Sequence, residues 1–196
     1  YYALLLCGFG RFDKALAHAD RARQIDPLWL IMPFIVCQIL ICARHFETAE
    51  RQMREIMALD PNLEGAYWYL SSTLAGHGRI EEAISAQEKG VQLARRAPFF
   101  VALLAMWYAR GGRTMDAERL LRELLDGGHC PPVWLAMVCG ELGQKRRAFD
   151  YLERAVDEHD DQISFMAVDH RFDSLRTDPR FEELLRQVGL PVLHHR

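Results

Sequence analysis

Apolar and polar residues follow one another along this chain in a pattern that recurs at a fixed interval. Segments with a turn residue, a hydrophobic residue and an alanine occur as GRFDKA, RHFETA, GRIEEA and GGRTMDA, ending at Ala15, Ala49, Ala83 and Ala117. Each alanine follows the previous one by 34 residues (49−15, 83−49 and 117−83), and a fifth copy, GQKRRA, ends at Ala148 after 31 (148−117). An interval of this length predicts helix pairs that repeat along the chain and bury their apolar faces against each other.

Other positions on the first helix of each predicted pair repeat at the same interval. Val36, Cys37 and Leu40 are spaced to share one helix face, and we expect that face to contact the partner helix. The small residue between the large ones permits the two helices to approach closely. The equivalent residues of the next two units are Leu70, Ser71 and Leu74, then Leu104, Ala105 and Tyr108.

Glycine and proline mark the predicted boundaries between helices. Gly10, Gly78 and Gly112 fall in the turn within a pair, where a positive φ favours glycine. Pro27 and Pro61 each follow an aspartate, and we expect these Asp-Pro pairs to start the next unit, because proline fits the first turn of a helix.

These repeated positions resemble the tetratricopeptide repeat family, which has large, leucine and small residues on the first helix and alanine on the second. The resemblance covers roughly residues 1–160. It implies an all-α fold, a right-handed superhelix of antiparallel helix pairs that forms an α-solenoid of about five pairs. The first pair is incomplete, so we expect the sequence to be part of a longer chain. The final step of 31 predicts three residues fewer at the end of the fourth unit's second helix, with a local change of stacking angle.

Residues 161–196 differ from the repeats and are predicted to form a C-terminal capping segment. The motif D-x-R-F-x-x-L occurs there twice, at 169–175 and 178–184. Phe172 and Leu175 of the first copy correspond to Phe181 and Leu184 of the second, and we expect each pair to form a buried face. Asp178 can cap a helix that begins at Pro179. That helix would bury one face and end at Gly189 and Pro191; the face consists of Phe181, Leu184, Leu185 and Val188.

This capping segment resembles the closing segment of many bacterial tetratricopeptide regions. The resemblance implies a regulatory or sensor region of a larger bacterial signalling protein, in which the array follows a winged-helix DNA-binding, nucleotide-cyclase or protein-kinase domain. Transcription regulation is therefore among the expected processes.

Charge and cysteine content bear on the class of function. A formal net charge of −3 disfavours a direct nucleic-acid interface, which normally carries a basic excess. The five cysteines include no C-x-x-C pair, and we interpret them as buried free thiols of a cytoplasmic protein, with the periplasm as the alternative. The apolar stretch 28–43 has 16 residues, fewer than the roughly 20 that a membrane helix needs, so no membrane insertion is predicted.

The sequence shows no constellation typical of catalysis or of metal binding. The eight histidines lack the spacing of zinc sites, and His194 and His195 are interpreted as a frayed tail. The acidic run 157–161 lacks the glycine and the ligand spacing of a calcium loop, and GFGRFD at 8–13 lacks the third glycine of a phosphate-binding loop. We therefore predict no enzyme activity, no metal and no cofactor.

The predicted binding surface is the concave groove, formed by the first helix of each unit at positions that do not face the partner helix. These aromatic and methionine-rich positions favour an apolar strand or an amphipathic helix as ligand. They lack the Lys, Arg and Asn residues with which tetratricopeptide domains hold a C-terminal carboxylate. The groove residues are Phe34, Gln38, Trp68, Ser72, Ala102, Met106, Val133 and Met137.

Two functions are compatible with this surface. The first is a non-enzymatic scaffold that binds a protein or peptide partner in the groove. The alternative is an oligomerisation scaffold that associates with itself, as part of a transcription regulator, nucleotide cyclase or kinase. A strongly curved array could also fold the same surface inward as additional core.

Overall fold

The structure is a computed structural model that describes residues 1–26 and 31–193, and within these ranges every regular element is helical. Two 3₁₀ helices, Asp161–Phe165 and His170–Phe172, precede the last α-helix. The α-helices are α1 (Tyr2–Gly8), α2 (Phe12–Ile25), α3 (Met32–Cys42), α4 (Phe46–Leu59), α5 (Glu64–Gly76), α6 (Ile80–Leu93), α7 (Pro98–Arg110), α8 (Thr114–Gly127), α9 (Pro132–Glu141), α10 (Lys145–Asp157) and α11 (Pro179–Gln187).

Helices α1 to α10 pack as five consecutive pairs, from α1 with α2 to α9 with α10. The odd-numbered helices also contact one another in order from α1 to α9, so they form one continuous layer. Each pair covers the apolar face of its neighbour, which a single pair cannot bury by itself. The predicted all-α solenoid is confirmed.

The same turn joins the two helices of every pair. In the first pair, the N–H of Gly10 donates to the carbonyl oxygen of Cys7, and the N–H of Arg11 donates to that of Leu6. This is the Schellman arrangement, which requires a residue with positive φ after the helix. The equivalent bonds recur in all five turns, and the positive-φ residues are Gly10, Arg44, Gly78, Gly112 and Gly143.

The repeated alanines occupy one structural position. Each is the fourth residue of an even-numbered helix and is completely buried. The small residues Cys37, Ser71 and Ala105 are also completely buried on the facing helices. Close approach of the two helices explains why neither position accepts a bulky side chain.

The shorter final step has a different origin from the predicted one. Helix α8 has 14 residues, as do α2, α4 and α6, so the end of the fourth unit's second helix is complete. Helix α9 has 10 residues where α5 and α7 have 13, and this difference of three (13−10) accounts for the interval of 31. The missing residues belong to the first helix of the fifth unit.

The expectation that the Asp-Pro pairs lie in the first turn of the next helix is also wrong where it can be examined, although α4 does end at Leu59, just before Asp60 and Pro61. Pro61 lies in the turn after α4, and α5 begins only at Glu64. The turn is held by the carboxylate of Asp60, which accepts a hydrogen bond from the N–H of Asn62. Pro27 lies outside the described residues, as do His194 and His195.

The C-terminal helix forms as predicted. The carboxylate of Asp178 accepts a hydrogen bond from the N–H of Arg180 at 3.2 Å, and Pro179 is the first residue of α11. The apolar face is buried at Phe181, Leu184 and Leu185 and half-buried at Val188, and Gly189 ends the helix with a φ of +73°. None of the described helices has both the length and the apolar character needed to cross a bilayer.

Candidate functional site

The layer of odd-numbered helices is covered by residues 161–176, which we call the inner segment. Its backbone approaches α1 so closely that a Cβ atom on Gly8 would overlap the carbonyl oxygen of Ser164. Its side chains contact the other four helices in turn. These contacts are Asp169 with Gln38 of α3, Arg171 with Trp68 of α5, His170 with Trp107 of α7, and Arg171 with Trp134 of α9. The chain's own residues therefore occupy much of the surface predicted to be an open groove.

A buried ion pair lies at the centre of the inner segment. The Nε atom of Arg171 is 3.0 Å from each carboxylate oxygen of Asp169, and both side chains are almost completely buried. The guanidinium carbon is 4.8 Å from the ring centre of Trp68 and 5.2 Å from that of Trp134. Burial alone would raise the pKa of Asp169, but the charge and hydrogen bonds of Arg171 hold that pKa well below its usual range.

His170 is buried beside this ion pair in an aromatic environment. Its ring stacks on Trp107 at 6.0 Å and meets the ring of Phe46 edge-on at 5.9 Å. Its Nδ1 atom lies 3.4 Å from Nη1 of Arg110, which pairs with Glu141. Burial lowers the pKa of His170 to about 3, and the nearby charge of Asp169 opposes this shift without cancelling it. The imidazole is therefore neutral at physiological pH.

A second ion pair joins the inner segment to the turn after α3. Both terminal nitrogens of Arg44 are 2.9 Å from carboxylate oxygens of Asp173. Arg44 has a φ of +63° at a turn position that glycine occupies in the other four pairs. Burial would raise the pKa of Asp173, but hydrogen bonds from Arg44 and Arg176 lower it. The strained backbone thus places a cation where it can hold the inner segment.

An open pocket lies next to the inner segment. We call it the aromatic pocket; its cavity volume is about 660 Å³. Its walls contain Trp68 and Trp134, whose ring centres are 5.9 Å apart, and Tyr69, which stacks on Phe34 at 5.3 Å. Other lining residues are Leu4, Ile31, Ile35, Gln38, Phe99, Phe100 and Phe165, with the carboxylates Glu64, Asp160 and Asp161.

The structure separates the eight predicted groove residues into two sets. Gln38 and Trp68 line the aromatic pocket, and the partly buried Phe34 supports it from behind Tyr69. The other five are at most 1% exposed and offer no surface to a partner; they are Ser72, Ala102, Met106, Val133 and Met137. The open groove expected at these five positions is not formed, because α5, α7 and α9 pack together and the inner segment lies over them. Partner binding by the groove residues stays a prediction.

The sequence analysis did not identify the residues that cover the predicted groove. It assigned no groove role to Trp107, to Trp134 or to the Asp-x-Arg residues of the inner segment. The available signal was the duplicated D-x-R-F motif, since both copies fold alike locally. In each, aspartate caps a helix and binds the arginine two residues later. The motif does not reveal that Arg171 is 1% exposed while the side chain of Arg180 is 45% exposed.

Within the described residues, no group of His, Cys, Asp and Glu side chains is arranged to hold a metal ion. The five cysteines are free, and four of them are buried as predicted, whereas Cys130 is only partly buried. Burial raises the pKa of the Cys37 thiol to about 12, and it also raises that of Cys42. These thiols therefore stay protonated and pack as apolar side chains, so they are poor nucleophiles.

Comparisons with known proteins identify the fold. No family model matches the chain, and no curated protein matches it. The crystal structure of TTC0263, a thermophilic TPR protein of Thermus thermophilus, is similar with a TM-score of 0.64 and 20% sequence identity, covering 94% of this chain and 96% of that one. The crystal structure of the APC/C hetero-tetramer Cut9-Hcn1 is similar with a TM-score of 0.60 and 17% identity, covering 93% of this chain but 37% of that one. At these identities the likeness concerns the fold alone: the chain has a tetratricopeptide-like α-solenoid fold.

Proposed function

We propose that this chain is a non-enzymatic protein-interaction module that binds an apolar peptide or helix at the aromatic pocket. The observation that carries the proposal is an open, aromatic-lined cavity in a helix layer that is otherwise filled by the inner segment. Cavities of about 300–1,000 Å³ with mostly apolar walls and a few polar groups are typical of ligand sites.

Exposed apolar residues at the mouth of the pocket support a macromolecular partner. Ile31 is 49% exposed and Phe99 is 43% exposed, so both present apolar surface to water. Covering such surface contributes roughly 25 cal/mol per Å² to association. Tryptophan and tyrosine, which form the pocket walls, are also the residues that most often dominate binding energy at protein interfaces.

The comparisons support the same class of function. One structural neighbour belongs to the APC/C hetero-tetramer Cut9-Hcn1 and therefore assembles with another protein. The closing segment's resemblance to bacterial tetratricopeptide regions supports a regulatory or sensor role within a larger signalling protein. In that role the partner would be a peptide segment or helix, and the array would contribute binding rather than chemistry.

The test is selection from a phage-displayed peptide library on the immobilised chain, followed by affinity measurement with two matched variants. Phe99 and Met115 are both the second residue of a helix and both exposed, but only Phe99 lines the aromatic pocket. We expect Phe99→Asp to weaken the selected peptides at least about tenfold, since it places a charge where apolar contact is needed. Met115→Asp should leave affinity unchanged. Equal binding by both variants, or failure to enrich any peptide, would contradict the proposal.

Self-association is a second candidate, supported by a different surface. Tyr2, Leu5 and Phe9 of the first helix and its turn are 57%, 53% and 41% exposed. A contiguous apolar surface of this kind is often an interface. Light scattering should then show a concentration-dependent dimer that Leu5→Asp dissociates, and a monomer at every concentration would exclude this candidate.

A further inference from the structure

The mouth of the aromatic pocket is acidic. Glu64, Asp160 and Asp161 line it, and no Lys, Arg or His is among its described lining residues. From this charge pattern and the aromatic walls, we infer that the pocket binds the arginine side chain of a partner peptide whose neighbouring residues are apolar. The inference rests on the proposed function and specifies the ligand of the same site.

The three carboxylates have no cationic partner among the described residues. Glu64 is the exposed first residue of α5 and takes part in no described ion pair. The carboxylate of Asp160 accepts a hydrogen bond from the backbone N–H of Gln162 at 2.9 Å, and the carboxylate of Asp161 is 3.5 Å from the side-chain amide nitrogen of Gln162. Burial raises the pKa of Asp160, and the neighbouring charge of Asp161 adds to this shift. A bound cation would relieve the repulsion between Asp160 and Asp161.

The buried Arg171 does not supply the missing positive charge. Its guanidinium contacts both carboxylate oxygens of Asp169, so the pair carries no net charge. Among the side chains that line the pocket, the three carboxylates are therefore the ones that carry an uncompensated charge. A cationic ligand is attracted to such a site over distances comparable to the Debye length, about 8 Å at physiological ionic strength.

The walls of the pocket are suited to a guanidinium group. Tryptophan gives the strongest cation–π attraction of the aromatic residues. Trp68 and Trp134 already hold the guanidinium of Arg171, with ring distances of 4.8 and 5.2 Å, and the same two indoles line the pocket. Arginine is favoured over lysine because its planar group stacks on aromatic rings, binds carboxylates through two hydrogen bonds and is more weakly hydrated.

The size of the cavity favours a peptide over an isolated cation. At about 660 Å³, it holds more than one side chain, and its lining includes the apolar side chains of Ile35 and Phe100. Residues on either side of the arginine can pack there, while the guanidinium stays near Glu64 and Asp161. The occupant is thus a short peptide segment with one arginine between apolar residues.

The probes are the blocked peptide acetyl-Ala-Leu-Arg-Phe-Leu-Ala-amide and a twin with citrulline, which has the shape of arginine without its charge. Binding is measured by titration calorimetry on the chain with a short N-terminal extension, so that the amino group of Tyr1, which also lines the pocket, carries no charge. We expect the arginine peptide to bind about five to ten times more tightly, since each exposed ion pair contributes modestly. The advantage should shrink as salt is raised.

Two double variants locate the charge effect. Glu64→Gln with Asp161→Asn should remove the preference for arginine, whereas Asp160 is left intact because it caps the 3₁₀ helix. Glu118→Gln with Asp126→Asn changes the net charge equally at exposed positions of α8 outside the pocket and should retain the preference.

The outcomes separate this inference from the proposed function. Equal affinity for the arginine and citrulline peptides, no binding of either, or an unchanged preference in the pocket variant would overturn the inference. If phage-selected peptides then bind in a Phe99-dependent manner without a basic residue, the proposed function stands and only the charge preference fails. If selected peptides ignore Phe99, both fail.

Discussion

The two copies of the D-x-R-F motif allow a buried ion pair to be compared with an exposed one of the same local geometry. The perturbation is Asp169→Asn, which keeps the size of the side chain and its ability to cap a helix but removes its charge. Arg171 would then be a buried cation without a counter-charge, held between Trp68 and Trp134. The matched control is Asp178→Asn, next to the exposed Arg180.

The structure sets the magnitude of the effect. Arg171 is 1% exposed, and its Nη1 atom already lacks a described hydrogen-bond partner. Removing one member of a buried ion pair typically costs about 3–5 kcal/mol, because the remaining charge is uncompensated. Such a loss is a large fraction of the roughly 5–15 kcal/mol by which natural domains are stable. Water screens Arg180, so the change for Asp178→Asn should be far smaller.

The assay is urea unfolding followed by far-ultraviolet circular dichroism and by tryptophan fluorescence. The fluorescence signal is informative because the two indoles that contact Arg171 lie on different helix pairs. A second change, Arg171→Met, should restore part of the stability lost in Asp169→Asn, since no buried charge then remains. Equal losses for the two asparagine variants, or a double variant less stable than the single one, would refute the reasoning.

Three further outcomes follow from the inner segment and its contacts. The unfolded chain binds a proton at His170 between its ordinary pKa of 6.5 and the folded value of about 3, so stability falls as pH drops through this window. The free energy of unfolding, measured by urea titration, should fall by about 2 kcal/mol from pH 7 to 5. His170→Gln should remove this part of the pH dependence. Gly8→Ala should lower the free energy of unfolding by about 1–3 kcal/mol through overlap with a backbone oxygen of the inner segment. Gly127 is also the last residue of a helix, but a Cβ atom added there would have no neighbour within 4 Å, so Gly127→Ala should not lower the stability. Equal effects of the two substitutions would contradict the close approach of Ser164 to Gly8. Arg44→Ala and Arg44→Gly both remove the ion pair with Asp173, but Arg44→Gly should be more stable by about 1 kcal/mol in thermal or urea unfolding, because glycine tolerates positive φ. Equal stability of the two would show that the backbone carries no strain.

The inner segment buries polar atoms that have no described hydrogen-bond partner. Three of the four buried side-chain atoms without a described hydrogen-bond partner belong to this segment, on His170, Arg171 and Ser174. Each buried polar atom of this kind costs roughly 1–3 kcal/mol. Aromatic stacking and the two ion pairs with Asp169 and Asp173 offset that cost. The inner segment therefore covers most of the predicted groove, and the aromatic pocket beside it is where we propose that a partner binds.

The sequence by itself determined the helix pairs, their number and their turns. These features depend on interactions between residues close in the chain: the 34-residue alanine interval, the positive-φ residue that ends each first helix, and the aspartate that caps α11. Local periodicity is sufficient to predict them. The length of α9 was missed because a three-residue deletion shifts the pattern without showing which helix lost them.

Only the tertiary structure decided what covers the layer of odd-numbered helices. The contact between Gln38 and Asp169 joins residues 131 apart, and that between Arg44 and Asp173 joins residues 129 apart. No local pattern indicates that the arginine of one D-x-R-F copy, Arg171, is buried between α5 and α9, while Arg180 of the other copy is exposed to water. Burial follows from where the chain returns after α10, and that path is fixed by packing between distant elements. As a result, the inner segment covers most of the expected groove, and an acidic, aromatic pocket lies beside it.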